Sequence, residues 1–363
     1  MLPSDLIFSE RLSRIRSIFT DFRLDAVLFL DMKNIRYLTG FTGSDGALFV
    51  AQDKSILLVD GRYTHQAARE AKSVAVLEYR EKNGGIESIL MDNAAKNVGF
   101  ETMAMNVHLY LKLQEKMKSV TFHPMSDEVN TIRMIKDDAE IACMRKAAEC
   151  AFRALDAVRT LIKPGLRERD IALELEFRMG QYGAEQVAFP TIVASGENSS
   201  LPHAKPGSRK IERGDMVIID CGAVYQGYHS DETWTVSVEN ASEEQKNVYA
   251  IVKEAHDRAL EAVKPGVSCR EIDHVARSFI EKSGLGKYFP HGTGHGVGLD
   301  VHEAPRIASQ SDQVLQQGMT VTIEPGVYMP DQWGVRIEDM VFVTEDGCEA
   351  LTRMPKDFTV LKN

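Results

Sequence analysis

The sequence predicts an α/β domain over residues 1–126, followed by an α+β domain over residues 127–363 that duplicates a unit of two helices and a strand hairpin. Short apolar runs alternate with helical stretches in the first third of the chain, and the remainder repeats its own motifs at offsets of 101 and 104 residues. A length of 363 residues allows two or three domains with large cores.

The first domain is expected to alternate strands with helices such as Leu12–Phe22 and Tyr63–Lys72. Its strand candidates are short apolar runs bounded by Asp, Gly or Lys. They are Ala26–Leu30, Ala47–Val50, Ile56–Val59 and, more weakly, Val74–Tyr79, Val98–Glu101 and Val120–Phe122. The polar segment 123–130 contains a proline and shows no periodicity, which places the domain boundary there.

Two sequence motifs of the second domain each occur twice. The motif KPGL at 163–166 returns as KPGV at 264–267, and each follows a long amphipathic helix. The first of these helices has Asp137 or Asp138 as its predicted N-cap. The stretch GDMVIIDCG at 214–222 returns as GMTVTIEPG at 318–326. Two echoes in the same order indicate a duplicated unit whose two copies pair around one core.

Each predicted hairpin carries two acidic residues among apolar ones. Asp220 and Asp231 are expected nearly opposite each other in the first hairpin, and Glu324 and Glu338 in the second. Acids are depleted in strands and costly to bury. Solvated acids on outer strand faces are the alternative, but four acids at mirrored positions favour a bound cation.

Histidine supplies a nitrogen donor for such a cation. Seven of the ten histidines lie between positions 203 and 302, and the stretch HGTGHGVGLDVH at 291–302 holds three of them with four glycines. This composition indicates a loop or irregular strand that approaches a ligand closely. Adding nitrogen to carboxylates shifts the expected ion from Mg²⁺ or Ca²⁺ towards a transition metal.

Composition excludes several classes of partner. The net charge of −10 and the lack of a basic patch argue against nucleic acid. No apolar run approaches the ~18–20 residues of a membrane span, and no secretory signal opens the chain. Five widely spaced cysteines without a CxxC motif suit a reducing compartment. The expected location is therefore the cytoplasm.

With these motifs the chain resembles the proline-specific metallopeptidases of the pita-bread fold, which are the Xaa-Pro aminopeptidases and the Xaa-Pro dipeptidases (prolidases). The resemblance covers nearly the whole chain. It implies a creatinase-like N-terminal domain over residues 1–126 and a pita-bread catalytic domain over residues 127–363. It also implies two divalent metal ions per chain, manganese first, with cobalt or zinc as alternatives. The implied ligands lie in the motifs IDCG, HSDET, GHGVG, IEPG and RIED, as Asp220, Asp231, His295, Glu324 and Glu338.

The resemblance further implies roles around the metal. Asp231 and Glu338 would bridge the two ions, and Glu324 would carry a proton between the attacking water and the leaving nitrogen. Three histidines would complete the catalytic set, and two arginines would bind substrate: His203, His291, His302, Arg336 and Arg306.

One position departs from the family pattern. Relatives read S-D-x-T-R-T where this chain has S-D-E-T-W-T at 230–235, so Trp234 takes the place of an arginine. The metal ligands are intact. What the departure puts in doubt is the arginine's own role, such as a salt bridge behind the site.

The expected partners are short proline-containing peptides and a second copy of the chain. The Gly-rich segment Tyr37–Asp45, with aromatics expected to be exposed, is either a dimer contact loop or an ordinary strand connection. Arg306 is either the group that neutralises a dipeptide carboxylate or a surface arginine, which leaves dipeptidase and aminopeptidase open. The alternative functions are a metal-free creatinase-like C–N hydrolase, a non-catalytic pita-bread binding module and a structural cation site.

Overall fold

The computed structural model describes residues 4–126 and 128–362. The chain divides into two units, Met1–Ile132 and Arg133–Asn363. The polar segment 123–130 is more ordered than its composition indicates, because it contains the end of a strand and the start of a helix. The domain boundary between residues 126 and 127 stays a prediction.

A mixed six-stranded sheet forms the centre of the first unit, in the order β4-β3-β2-β1-β5-β6. The central strands β1, β2 and β3 pair antiparallel, and the outer pairs are parallel. All six predicted strands are present. They are β1 Ala26–Phe29, β2 Ala47–Ala51, β3 Ser55–Asp60, β4 Ala75–Tyr79, β5 Asn97–Glu101 and β6 Thr121–Met125.

Seven helices accompany this sheet among the described residues, the last crossing the division between the units. They are α1 Ser4–Ser17, α2 Phe19–Phe22, α3 Met32–Thr39, α4 Thr64–Glu70, α5 Lys82–Asp92, α6 Val107–Lys116 and α7 Glu128–Met134. The expectation of exposed aromatics in Tyr37–Asp45 is wrong. Phe41 is fully buried, and Tyr37 is 2% exposed beneath the Arg11 guanidinium, 4.2 Å from its ring centre.

The second unit contains the predicted duplication. Its first half comprises α8 Asp138–Val158, α9 Glu168–Gln181, β7 Gln186–Val187, β8 Ile192–Ser195, β9 Met216–Cys221, β10 Ala223–Tyr225, β11 Tyr228–His229 and β12 Glu232–Val238. Its second half comprises α10 Glu243–Ala262, α11 Cys269–Lys282, β13 Gly294–Gly296, β14 Glu303–Ile307, β15 Thr320–Ile323, β16 Gly326–Met329, β17 Trp333–Arg336, β18 Asp339–Val343, β19 Cys348–Ala350 and β20 Val360–Leu361.

The two halves match in detail as well as in order. The long helices α8 and α10 both begin with a capping box, and the first confirms Asp137 as an N-cap. Gly165 and Gly266 both have a left-handed φ, +94° and +86°, which favours glycine in each KPG motif. Their amides donate to equivalent carbonyls, those of Ile211 and Leu315.

Each half buries its helices against its own strands. Helices α8 and α9 pack on β9 and β12, and the stripe from Ile141 to Ile162 is buried. Helices α10 and α11 cover β15 to β18. The strands join into sheets of order β20-β12-β9-β8 and β14-β13-β15-β18-β19, with smaller sheets β11-β10-β7 and β16-β17. This packing fixes the two hairpins as rigid elements.

The sequence also led to expectations about the cysteines and about membrane-spanning segments. All five cysteines are free thiols. None of the helices in the described parts of the chain is long and apolar enough to span a membrane.

Helix α9 offers a matched test of the core. Leu175 is fully buried, whereas Leu173 on the same helix is 54% exposed. Leu175→Ala should lower the free energy of unfolding by about 2–5 kcal/mol through lost burial and a cavity, and Leu173→Ala by no more than about 0.5 kcal/mol. Urea denaturation followed by tryptophan fluorescence measures this, because both tryptophans, Trp234 and Trp333, lie in the second unit. Equal losses would contradict the packing described.

Candidate metal centre

The four acids lie where the two hairpins are interrupted. The first hairpin breaks between β9 and β10 and again between β11 and β12, and the second breaks at the mirrored points. Asp220 is the penultimate residue of β9, and Asp231 falls between β11 and β12. Glu324 follows β15, and Glu338 falls between β17 and β18. Three of the acids thus lie outside the regular strands, and Asp220 lies one residue before the end of its strand.

Strand register modifies the predicted pairing. In the first hairpin Asp220 is opposite Thr233, so Asp231 lies two residues beyond the position expected for it. In the second hairpin Ile323 is opposite Asp339. The next pair of residues in this antiparallel register is Glu324 and Glu338, which therefore lie opposite each other as predicted. The first hairpin turns through Gln226 and Gly227, with φ values of +48° and +80°, a left-handed pair suited to a two-residue hairpin turn.

His295 reaches the acids from β13, which pairs with β14 and β15. Its neighbour Gly294 is required there, because an added Cβ would lie 1.9 Å from the Thr322 carbonyl oxygen. The His295 Nδ1 lies 3.0 Å from the Gly296 carbonyl oxygen. That oxygen can only accept, so Nδ1 carries the proton and Nε2 is left with a lone pair.

The His295 Nε2 faces two carboxylates. It lies 3.6 Å from Asp231 Oδ2 and 3.3 Å from Glu324 Oε1. Burial lowers the pKa of His295, so the ring is neutral at pH 7. A lone pair directed at two carboxylates is repulsive unless a proton or a metal cation lies between them. One donor atom each from Asp231, His295 and Glu338 lie within 4.8 Å of one another, a donor set suited to a divalent transition metal.

The carboxylates repel one another inside the protein. Burial, followed by Glu338 and Asp220, raises the pKa of Asp231 well above its usual range. Burial, followed by Glu324 and Asp220, does the same for Glu338. The buried Oδ1 of Asp220 has no hydrogen-bond partner. A carboxylate oxygen without a hydrogen-bond partner thus lies beside two carboxylates whose charged forms are disfavoured. Bound cations would supply the missing partner and stabilise the charges.

Arg336 is the buried cation that already compensates part of this charge. Its Nη2 donates to Asp220 Oδ2 at 2.5 Å, and its Nε donates to Thr233 Oγ1 at 3.1 Å. Thr233 Oγ1 in turn donates to Glu338 Oε2 at 2.7 Å. Arg336 therefore connects ligand candidates from both hairpins.

A second branch from Arg336 fixes His291. The arginine Nη1 donates to Tyr328 Oη at 2.9 Å, which lies 3.0 Å from His291 Nε2. The His291 Nδ1 donates to the Gly292 carbonyl oxygen at 2.8 Å, so Nε2 accepts from the tyrosine hydroxyl. Burial lowers the pKa of His291 and raises that of Tyr328 to about 12, which keeps both neutral.

One cavity of about 760 Å³ contains every predicted site residue. Its walls include Asp220, Asp231, His295, Glu324, Glu338, His203, His291, His302, Arg336 and Arg306. His203, His302 and Arg306 are exposed on its walls. The His302 ring lies 4.3 Å from the His295 ring. Phe189, Pro190 and Ile192 add an apolar wall.

The sequence did not indicate the residues that support the candidate ligands. Thr233 lies inside the motif HSDET but was given no role of its own, and Tyr328 lies in no motif. The position of Thr233 two residues after Asp231 was the signal that could have indicated it. Trp234 was singled out, but it is not part of the site. It is opposite Ile219, 2% exposed, and lies in the core against α8 and α9.

Comparison with known proteins follows the same division of the chain. The model of metallopeptidase family M24 matches residues 142–345, and that of the creatinase/prolidase N-terminal domain matches residues 11–135. The Xaa-Pro dipeptidase of Pyrococcus horikoshii is 36% identical over 351 residues, which are 97% of this chain and 99% of that protein.

Two solved structures are similar over almost the full length. An Xaa-Pro dipeptidase from Bacillus anthracis is 37% identical with a TM-score of 0.95, covering 98% of this chain and 100% of the other. An X-Pro aminopeptidase from Thermotoga maritima is also 37% identical, with a TM-score of 0.89 and coverages of 96% and 99%.

The close contact at Gly294 gives a test of the site's geometry. Gly294→Ala would force β13 away from the Thr322 carbonyl and move His295, so affinity for Mn²⁺ should fall about 10-fold or more. Gly180→Ala is the control, because an added Cβ there meets nothing within 4 Å. Equilibrium dialysis with metal analysis measures both. Unchanged binding in Gly294→Ala would mean that His295 is not a ligand.

Proposed function

The chain belongs to metallopeptidase family M24, and from that premise we propose that it is an Xaa-Pro peptidase that hydrolyses the bond before proline in short peptides. One observation carries the proposal. The unprotonated Nε2 of His295 is directed at one buried and one partly buried carboxylate inside a cavity that all ten candidate residues line.

The five donor residues would hold two divalent cations, with Asp231 and Glu338 between them. We propose manganese as the native ion, with cobalt or zinc as alternatives, because the donors are oxygen and nitrogen without thiolate. Two cations there would polarise the scissile carbonyl and lower the pKa of a shared water towards ~7. The creatinase-like and non-catalytic alternatives are less favoured, because they would leave this intact donor set without a purpose.

Glu324 is the residue proposed to move the proton. Burial raises its pKa, which makes it a better base for accepting a proton near neutral pH and returning it to the leaving nitrogen. Thr322 Oγ1 lies 3.3 Å from Glu324 Oε1 and orients the carboxylate.

The histidines divide into two groups. His291 has both ring nitrogens engaged, so its proposed role is to hold the Tyr328 hydroxyl and the cavity wall in place. His302 and His203 are exposed on the cavity wall, and we assign them as hydrogen-bond donors to the substrate's carbonyl oxygens. One such donor aimed at a developing oxyanion is typically worth about 2.7–4 kcal/mol.

The preference for proline follows from the missing N–H of the tertiary amide. A peptidase that must bind that N–H rejects the bond, and the ring also restricts the preceding residue. The apolar wall of Phe189, Pro190 and Ile192 offers a surface for the pyrrolidine ring without a polar group that would demand a donor.

Between the two possible activities we propose the dipeptidase. Arg306 lines the cavity, and its side chain forms no ion pair within the described ranges, 4–126 and 128–362. A free guanidinium on the wall suits the carboxylate of a dipeptide. We further propose a cytoplasmic homodimer, the dimer resting on the family resemblance and the location on the reduced cysteines.

Metal dependence is the primary test of function. Chelator should abolish cleavage of Xaa-Pro dipeptides, and Mn²⁺ or Co²⁺ should restore it, because the donors alone cannot generate a nucleophile. An Xaa-Ala dipeptide is the matched control and should be cleaved poorly throughout. Full activity in metal-free protein would contradict the proposal.

Substrate length tests the role of Arg306. A charge-assisted contact of about 1.5–3 kcal/mol predicts a roughly tenfold to hundredfold preference for a dipeptide over its C-terminal amide. Arg306→Ala should remove most of that preference and leave cleavage of the amide nearly unchanged. The measurement is kcat/KM for both substrates with both proteins. Equal values in the unmodified protein would favour the aminopeptidase.

A further inference from the structure

The two proposed bridging ligands are each followed by a second buried acid. Glu232 comes after Asp231 and is 1% exposed, and Asp339 comes after Glu338 and is 8% exposed. Asp231 and Glu338 line the cavity, whereas Glu232 and Asp339, the first residues of β12 and β18, do not. Each hairpin therefore directs one acid into the cavity and one acid behind it, and the arrangement is the same in both copies of the duplicated unit.

A single lysine lies between the two rear acids. Lys356 Nζ is 2.7 Å from Glu232 Oε1 and 3.3 Å from Asp339 Oδ1, and its side chain is 8% exposed. The remaining contacts hold the acids in place. Met354 N donates to Glu232 Oε1 at 2.8 Å, and Thr352 Oγ1 donates to Asp339 Oδ1 at 2.6 Å.

The backbone around Lys356 also joins the hairpins. At one end of the segment 351–361, Leu351 N donates to the Met340 carbonyl of β18 at 2.8 Å. At the other end, β20 pairs in parallel with β12, with Val360 opposite Ser237. Lys356 lies between these two attachments, and its carbonyl accepts a hydrogen bond from the Tyr249 hydroxyl at 3.0 Å.

We infer that Lys356 is a positioning residue that sets the separation of the two hairpins and thereby holds Asp231 and Glu338 close enough to bridge two metal ions. It touches neither substrate nor metal. Its influence passes through Glu232 and Asp339, each one peptide unit from a bridging ligand, so a shift of either rear acid moves its neighbour by a similar distance.

This inference rests on the proposed dinuclear site. It assigns Lys356 a role in positioning the two hairpins, beyond any contribution of its ion pairs to the stability of the fold. A buried ion pair is weak evidence for stability, and His256 Nε2, 3.3 Å from Asp339 Oδ2, offers that acid another polar neighbour. Glu232 Oε2 has no hydrogen-bond partner. Lys356 is thus the cation that Glu232 and Asp339 share, and losing it should let the rear acids move apart.

The test compares Lys356→Met with Lys356→Arg, which keeps the charge. Lys246→Met is the control, because Lys246 is a half-exposed lysine paired with Glu243 three residues before it on α10. Chelator-treated proteins are titrated with Mn²⁺, and binding is followed by calorimetry and electron paramagnetic resonance. Two adjacent Mn²⁺ ions give an exchange-coupled spectrum, whereas separated ions give isolated six-line signals.

Lys356→Met should bind its second Mn²⁺ about 10- to 100-fold more weakly than the unmodified protein and lose the coupled spectrum. Lys356→Arg should recover the coupled spectrum, and Lys246→Met should behave as the unmodified protein does. If Lys356→Met does not fold, Glu232→Gln replaces it. The amide oxygen still accepts from Met354 N while one charge of the pair is removed, so a weakened coupled spectrum is expected.

Two results would overturn the inference. Two Mn²⁺ ions bound with unchanged affinity and coupling in Lys356→Met, or in Glu232→Gln where that variant replaces it, would reduce Lys356 to a structural residue and leave the proposed function intact. Fewer than two ions in the unmodified protein would overturn the dinuclear site and this inference together.

Discussion

The crowding of carboxylates inside the second unit is the constraint on which the rest of the site depends. Oxygens of Asp231 and Glu338 lie within 4.8 Å of each other and of the His295 nitrogen. Two like charges about 4 Å apart repel by about 4 kcal/mol at an effective dielectric constant of 20. One arginine, Arg336, cannot offset all of these repulsions. The fold therefore keeps the acids together at an energetic cost that bound cations would relieve.

Duplication explains how the chain can maintain such an arrangement. Each copy buries two helices against its own strands, so each hairpin is backed by its own hydrophobic core. Side chains in or directly beside packed strands keep their positions better than side chains on long loops. The hydrogen bonds from Arg336 and Thr233 then fix one hairpin against the other.

Sequence alone identified what depends on local pattern and repetition. The strands, the N-cap at Asp137 or Asp138 and the acids of each hairpin all follow from residues close in the chain. Thr233 and Tyr328 were not identified, because their roles arise from contacts between hairpins about 100 residues apart. The burial of Phe41 was missed for the same reason: a Gly-rich loop looks exposed until the neighbouring elements cover its aromatic side chain.

The polar contacts divide the cavity into a fixed part and an adaptable part. Arg336 donates to Tyr328, Tyr328 donates to His291, and His291 donates to a backbone carbonyl, so every proton in that chain has one assigned place. His302, His203 and Arg306 form the adaptable part. Their side chains are exposed, so they are able to change rotamer. Chemistry at the peptide bond needs the fixed part, because charge must develop against preorganised groups. In the proposed function, recognition of the rest of the peptide falls to the exposed side chains, so substitutions there would change the preferred substrate length without disturbing the proposed metal ligands.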